Sequence, residues 1–103
     1  MAYPSKYTNS QVEILGEVGT AKQRSATTAS AYIALTSTTK RVSIKAVGAD
    51  MRYEFGTTTA VEATTTSHYI ADGERLDFAC PEGSYIAVET ISGTGTLEIT
   101  ELV

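Results

Sequence analysis

The side chains that could perform catalysis in this chain are few. The chain has one histidine, His68, which closes the Thr-rich segment GTTTAVEATTTSH at residues 56–68, and one cysteine, Cys80. A nucleophilic hydroxyl or thiol needs a base beside it, and Ser67, the neighbour of His68, would point to the opposite side of an extended segment. We therefore expect His68 to be a surface or hydrogen-bonded residue. In LDFACPEG, Cys80 is expected to be a small buried residue of a strand.

Paired carboxylates would be a second route to acid–base chemistry. The ten acidic residues between positions 46 and 103 place some carboxylates at suitable spacings by chance. The candidates are Glu54, Glu62, Asp72 and Asp77. One His and one Cys cannot complete a structural zinc site, although a calcium site of scattered carboxylates stays open. The sequence thus predicts no enzyme, no catalytic residue and no cofactor.

Composition favours a single β domain. The 103 residues include seventeen Thr and nine Ser but no Trp, and Thr, Val, Ile and Tyr suit the pleated surface of a sheet. No apolar run reaches the roughly 18 residues needed to span a bilayer, and MAYPSKYTNS lacks the apolar stretch of a signal peptide. These features predict a soluble chain, made in the cytoplasm, without a membrane partner.

Charge is distributed unevenly along the chain. Residues 1–45 hold six basic and two acidic side chains, whereas residues 46–103 hold two basic and ten acidic ones. This asymmetry is compatible with head-to-tail packing of subunits and equally with scattered charges on solvated faces. Because phosphate contacts need clustered Lys and Arg, a chain with a net charge of −4 and no basic stripe is not expected to bind nucleic acid.

Period-two alternation predicts about eight strands. Residues 1–11 form an extended arm, residues 12–103 form the β domain, and residues 19–30 are a polar connection. The predicted strands are VEILGEV (12–18), AYIALT (31–36), RVSIKAV (41–47), MRYEF (51–55), SHYIA (67–71), RLDFAC (75–80), YIAVETI (85–91) and TLEITELV (96–103). The inward positions of these strands predict a core of Val42, Ile44, Tyr53, Phe55, Leu76, Phe78, Ile86, Val88, Leu97 and Ile99.

Short turns join these strands. The turn GAD after Val47, the dipeptide Asp72-Gly73 and the segment SGTG after Ile91 are each predicted to close a hairpin. Such short connections cannot hold crossover helices, so the strands should pair antiparallel. The predicted fold is all-β, an antiparallel β-sandwich of jelly-roll or immunoglobulin-like topology with an extended N-terminal arm.

The last 60 residues or so carry a resemblance to a known group. The matching pieces are Tyr53-Glu54-Phe55-Gly56, the Thr-rich segment, Ile70 to Gly73, CPEGSYIAV, and Gly95 to Leu102. These pieces resemble small virion structural proteins of tailed bacteriophages, which share a V-x-Y-x-F-G type strand and a closing G-T-L-x-I-T-E-L strand.

The resemblance implies a non-enzymatic subunit of the virion. Its partner would be the major capsid protein, bound as a cement or decoration protein binds it, or other virion proteins at the head-to-tail junction or in the tail. A homo-oligomer is expected, since repeated contacts gain avidity. A sugar-binding or receptor-binding β module is the alternative, because the six tyrosines could form a contact surface. The candidate interface residues of the arm are Tyr3, Pro4, Lys6 and Tyr7.

Overall fold

The computed structural model describes residues 18–102, and this part of the chain is all-β without a helix. It has eight strands, the number that the sequence predicts, and seven of them coincide with predicted strands. The strands are β1 (Val18–Ala26), β2 (Ala31–Ala34), β3 (Arg41–Val47), β4 (Met51–Gly56), β5 (His68–Ile70), β6 (Arg75–Ala79), β7 (Tyr85–Thr90) and β8 (Gly95–Leu102). The arm at residues 1–11 and the predicted strand at 12–17 lie outside the described residues.

Two four-stranded antiparallel sheets make up the fold. Sheet A has the order β1-β8-β3-β6 and sheet B the order β2-β7-β4-β5. Inward residues of both sheets belong to one buried apolar cluster, so the sheets face each other in a β-sandwich-like arrangement. The strands β1 and β2 lie at one margin of the sandwich, and β5 and β6 lie at the other.

The first strand corrects a prediction. Residues 19–30 do not form a polar connection, because β1 occupies Val18–Ala26 and pairs with β8. The inward positions of this strand include Lys22 and Arg24, which lie opposite Ile99 and Leu97. Charged side chains at inward positions hid the alternation that marks a half-buried strand.

The predicted hairpins are wrong. The strands β3 and β4, β5 and β6, and β7 and β8 are consecutive, yet each pair is divided between the two sheets. The short turns therefore cross from one sheet to the other instead of joining hydrogen-bonded neighbours. The strands β4 and β5 are the one described pair that is both consecutive and paired, and they are joined by the long Thr-rich segment.

Three of these crossing turns are hydrogen-bonded to one another at one end of the sandwich. The carboxylate of Asp72 accepts the amide of Gly48 at 2.9 Å, and the carboxylate of Asp50 accepts the amide of Asp72 at 2.8 Å. The amide of Ile91 donates to the carbonyl of Asp50 at 3.0 Å. Gly48 has a φ of 97°, a conformation that glycine adopts without strain. The two aspartates thus tie the three turns together.

The predicted core is confirmed in most positions. Seven of its ten residues are buried, and the remaining three are partly buried against the cluster. The partly buried residues are Phe55, Leu76 and Phe78. They all lie at the β5/β6 margin, where the two sheets end and less chain covers them.

Candidate functional site

Cys80 and His68, the side chains that could act as nucleophile and base, line the same groove without a hydrogen bond between them. The side chain of Cys80 is buried in the core cluster, as predicted, and burial raises the pKa of its thiol. A thiol that stays protonated at neutral pH is a poor nucleophile. The side chain of His68 is exposed and lies 3.8 Å from the carboxylate of Glu54. The structure therefore pairs His68 with the carboxylate of Glu54 and not, through a hydrogen bond, with the thiol of Cys80.

The Thr-rich segment is an ordered connection, and its hydroxyls bond its own backbone, as expected of such residues. The amide of Ala60 donates to the hydroxyl of Thr58 at 3.2 Å, and the amide of Thr64 donates to the hydroxyl of Ser67 at 2.9 Å. The amide of Ala63 donates to the hydroxyl of Ser30 at 2.9 Å, which anchors the segment to the connection before β2. These threonines have a structural use.

The other carboxylates considered for acid–base chemistry lie on different elements. The carboxylate of Asp72 accepts a hydrogen bond from the amide of Gly48. Asp77 lies on β6, and Glu62 is an exposed residue of the Thr-rich segment. Among residues 18–102, no three His, Cys, Asp or Glu side chains are grouped so that they could hold a metal ion. No helix in this part of the chain is long and apolar enough to cross a membrane.

A buried carboxylate that the sequence analysis missed lies between the sheets. Glu101 is only 2 % exposed and accepts hydrogen bonds from the amide of Thr36 at 2.8 Å and the hydroxyl of Thr39 at 3.0 Å. The ammonium group of Lys22 lies 3.1 Å away. Burial alone would raise the pKa of Glu101, but the hydrogen bonds from Thr36, Lys22 and Thr39 outweigh it and lower the pKa. This cluster is a fully partnered structural ion pair.

The outer face of sheet B carries most of the exposed aromatic surface of the described strands. Tyr32 and Tyr69 are each 44 % exposed. The ring of Tyr85 meets that of Tyr32 edge-on, with 5.9 Å between centroids, and the guanidinium of Arg52 lies 5.2 Å from the Tyr69 centroid. We call Tyr32, Arg52, Tyr69 and Tyr85 the tyrosine face. Tyr and Arg are enriched at the energetic centres of protein interfaces.

The outer face of sheet A differs in composition. Its strands present mostly Thr, Ser, Gln and charged side chains, with the exposed aliphatic residues Val18 and Val47 but no aromatic residue among the described positions. The outward residues include Gln23, Ser25, Ser43, Lys45, Asp77, Thr96, Glu98 and Thr100. The two faces of the sandwich therefore differ in their capacity to bind a partner.

An aromatic groove opens at the β5/β6 margin. It is lined by Tyr53, Phe55, His68, Phe78, Ala79, Cys80 and Pro81. The ring of Phe78 on β6 packs against Tyr53 and Phe55 on β4, with centroid distances of 5.4 and 5.6 Å. The groove exists because β5 is short. Pairing between β4 and β5 ends at Tyr53 and His68, so β5 has no residue to cover Phe55.

The two margins of sheet A are protected differently. Inward charges such as Lys22 and Arg24 on β1 are a known means of preventing edge-to-edge association. The other edge strand, β6, carries Leu76 and Phe78 at its inward positions. Among the described strands it pairs with β3 alone, and its outer edge borders the aromatic groove.

The predicted interface residues Tyr3, Pro4, Lys6 and Tyr7 lie outside the described residues. Comparison of the chain with family models, with curated proteins and with solved structures gives no match. The topology and the two aromatic surfaces are therefore the features of the described chain that bear on function.

Proposed function

We propose that the protein is a non-enzymatic structural subunit of a bacteriophage virion, a cement or decoration protein that binds the capsid surface through protein–protein contacts. The observation that carries the proposal is the strand order β1-β8-β3-β6 in one sheet and β2-β7-β4-β5 in the other. The resemblance of the last 60 residues or so to virion proteins points in the same direction.

The strand order supports a jelly-roll topology over an immunoglobulin-like one. A jelly roll folds one long antiparallel ribbon so that its first and last strands pair, and successive strands, apart from the middle two, alternate between two four-stranded sheets. Here β1 pairs with β8, β2 with β7, β3 with β6 and β4 with β5. Viral capsid proteins and lectins commonly use this fold, and the step from fold to function is one of analogy.

The tyrosine face is the surface that we assign to the virion partner. Its side chains combine a large apolar area with hydroxyl and guanidinium groups. This combination suits a binding surface that is exposed to water when no partner is bound. Its edge-on Tyr32–Tyr85 pair and the stacked Arg52–Tyr69 pair are already held in place, so binding orders few side chains.

The test is addition of the purified protein to particles assembled without it. We expect saturable binding with a fixed number of copies per capsid, and a regular position for the chain in an electron microscopy map. The double variant Tyr32→Ser with Tyr85→Ser should bind at least about tenfold more weakly. The matched control, Gln23→Ala with Ser25→Ala on the outer face of sheet A, should bind normally. Density at the head-to-tail junction or in the tail would transfer the proposal to those sites.

A sugar-binding or receptor-binding module is the second candidate, and the tyrosine face also favours it, because exposed rings can stack on sugars. A glycan screen separates the two functions. Binding of one glycan class that is lost in Tyr69→Ala, together with absence of binding to capsids, would favour the sugar-binding module and overturn the structural assignment.

A further inference from the structure

We infer that the open edge of β6 and the aromatic groove beside it bind residues 1–11 of a neighbouring copy, which add a strand to sheet A. The inference deepens the proposed function by specifying how subunits hold one another, and it rests on that function only for its place in a particle.

The edge of β6 offers unpaired main-chain groups. The amide of Cys80 donates to the carbonyl of Lys40 at 2.8 Å, and the amide of Ala46 donates to the carbonyl of Glu74 at 3.2 Å. The main-chain N–H and C=O groups of the even-numbered residues from 74 to 80 therefore point toward β3. Because antiparallel pairing alternates, the N–H and C=O groups of Arg75, Asp77 and Ala79 point to the open edge. An extended peptide can bond these groups as an added strand.

The groove selects the side chains of that strand. Its walls are aromatic and apolar, with Pro81 at one end. Residues 1–11, MAYPSKYTNSQ, would place Tyr3, Ser5 and Tyr7 on one face when extended, where both rings could enter the groove. Pro4 lacks an N–H group, which an edge strand tolerates where that position faces solvent.

Charge also fits this occupant. Residues 51–56 and 68–84, which form the groove and its margin, include five acidic and two basic side chains. Residues 1–11 include Lys6 and no acidic side chain. The attraction therefore steers the arm to this margin rather than to the basic β1.

A neighbouring copy fits better than the chain's own groove. Val18, Leu102, Arg41 and Ala79 lie in one row across sheet A, so the start of β1 and the groove are at opposite margins, about 14 Å apart at the usual strand spacing. Exchange of identical segments between copies is a low-cost route to a closed oligomer.

The first experiment removes one edge donor. Asp77→Pro deletes an N–H group that faces the open edge, whereas Asp77→Thr removes the same carboxylate and keeps the N–H group. By sedimentation of the full chain, we expect Asp77→Pro to weaken self-association about tenfold, the usual scale for one strong contact. Asp77→Thr should associate within about threefold of the unchanged protein. Melting curves check that both variants fold. Equal association by the two variants, or a monomeric unchanged protein, would overturn the inference.

The second experiment needs no edge substitution, so it remains decisive if Asp77→Pro does not fold. Tyr7 is replaced by the photo-crosslinking residue p-benzoylphenylalanine, and the products are separated by mass and mapped. Covalent dimers joined between residue 7 and the segment 76–81 would support the inference. Cross-links within one chain, or dimers joined elsewhere, would overturn it. Both experiments use the isolated protein, so their failure is distinct from a failure of capsid binding.

Discussion

At the residue scale, Glu101 is the side chain whose environment has the clearest energetic consequence. Its pKa is lowered in the folded protein, since the hydrogen bonds from Thr36, Lys22 and Thr39 outweigh the effect of burial. A carboxyl with a lowered folded pKa contributes stability above its unfolded pKa of about 4.3. That contribution is lost as the pH falls through the folded pKa. The ion pair is therefore stabilising at neutral pH and fades in acid.

We predict that Glu101→Gln lowers the free energy of unfolding by about 1–3 kcal/mol at pH 7, because the buried partners lose a charged acceptor. The difference from the unchanged protein should begin to shrink as the pH falls below the unfolded pKa of about 4.3, and it should disappear once the carboxyl is protonated in the folded state as well. Urea denaturation at pH 7 and pH 3.5 measures both effects. A constant difference at the two pH values would contradict the assigned role, and Glu98→Gln on the outer face is the control.

Phe78 shows how burial at a margin changes the cost of a substitution. It bridges Tyr53 and Phe55 across the groove but is only partly buried. Removal of a fully buried Phe costs about 3–5 kcal/mol, and we expect Phe78→Ala to cost about 1.5–3 kcal/mol. Denaturation of Phe78→Ala beside Leu97→Ala, whose side chain is fully buried, tests this ranking. A larger loss for Phe78 would mean that the groove is more closed than described.

The alternation of apolar and polar residues in the sequence locates individual residues well where the two faces of a strand differ in polarity. In TLEITEL, Leu97, Ile99 and Glu101 share one face, so the pattern that identified the core also carried the signal for Glu101. The burial of Glu101 was not predicted, because a charged carboxylate is expected on the solvent side of a strand. Its partner Lys22 was equally hidden, since it lies on a strand whose inward positions are charged.

At the element scale, turn chemistry gave the positions of reversals but not the sheet that follows. Asp72-Gly73 does form a tight turn: the amide of Glu74 donates to the carbonyl of Ala71 at 2.9 Å, and Gly73 has a φ of 86°. A turn that closes a hairpin and one that crosses between sheets need similar local conformations. The choice between them depends on which distant strand pairs with the next segment. Here β3 pairs with β6, and no local residue encodes that.

The bonds between the crossing turns lead to a prediction at this scale. Asp72→Ala removes the acceptor of the Gly48 amide and should cost about 1–2 kcal/mol of stability, the usual range for a hydrogen bond to a charged group at a partly solvated site. Glu62→Ala, at an exposed position of the Thr-rich segment, should change stability by less than about 0.5 kcal/mol. Thermal melts of the two variants give the comparison, and equal melting temperatures would show that the aspartate bond contributes nothing.

At the scale of the whole molecule, the arm and the sandwich are expected to have separate tasks. Deletion of residues 2–10 should leave the melting temperature of the sandwich nearly unchanged, because residues from Ala26 to Ile99 build the described core cluster. The truncated protein should load onto particles much more weakly, if the arm joins neighbouring copies. Melting curves and particle binding of the same preparation test both halves of the prediction. Full loading of the truncated protein would contradict it.

The pairing of β1 with β8 also determines when this protein can fold during synthesis. In sheet A, β8 lies between β1 and β3, so residues 18–47 have no complete sheet to join until residues 95–102 have left the ribosome. Pairings this distant along the chain close large loops and slow the folding step. The β4–β5 pair is the nearest in sequence and is the natural place for structure to begin. Until β8 arrives, the nascent chain exposes unpaired strand edges, and its yield should depend on chaperones that cover them.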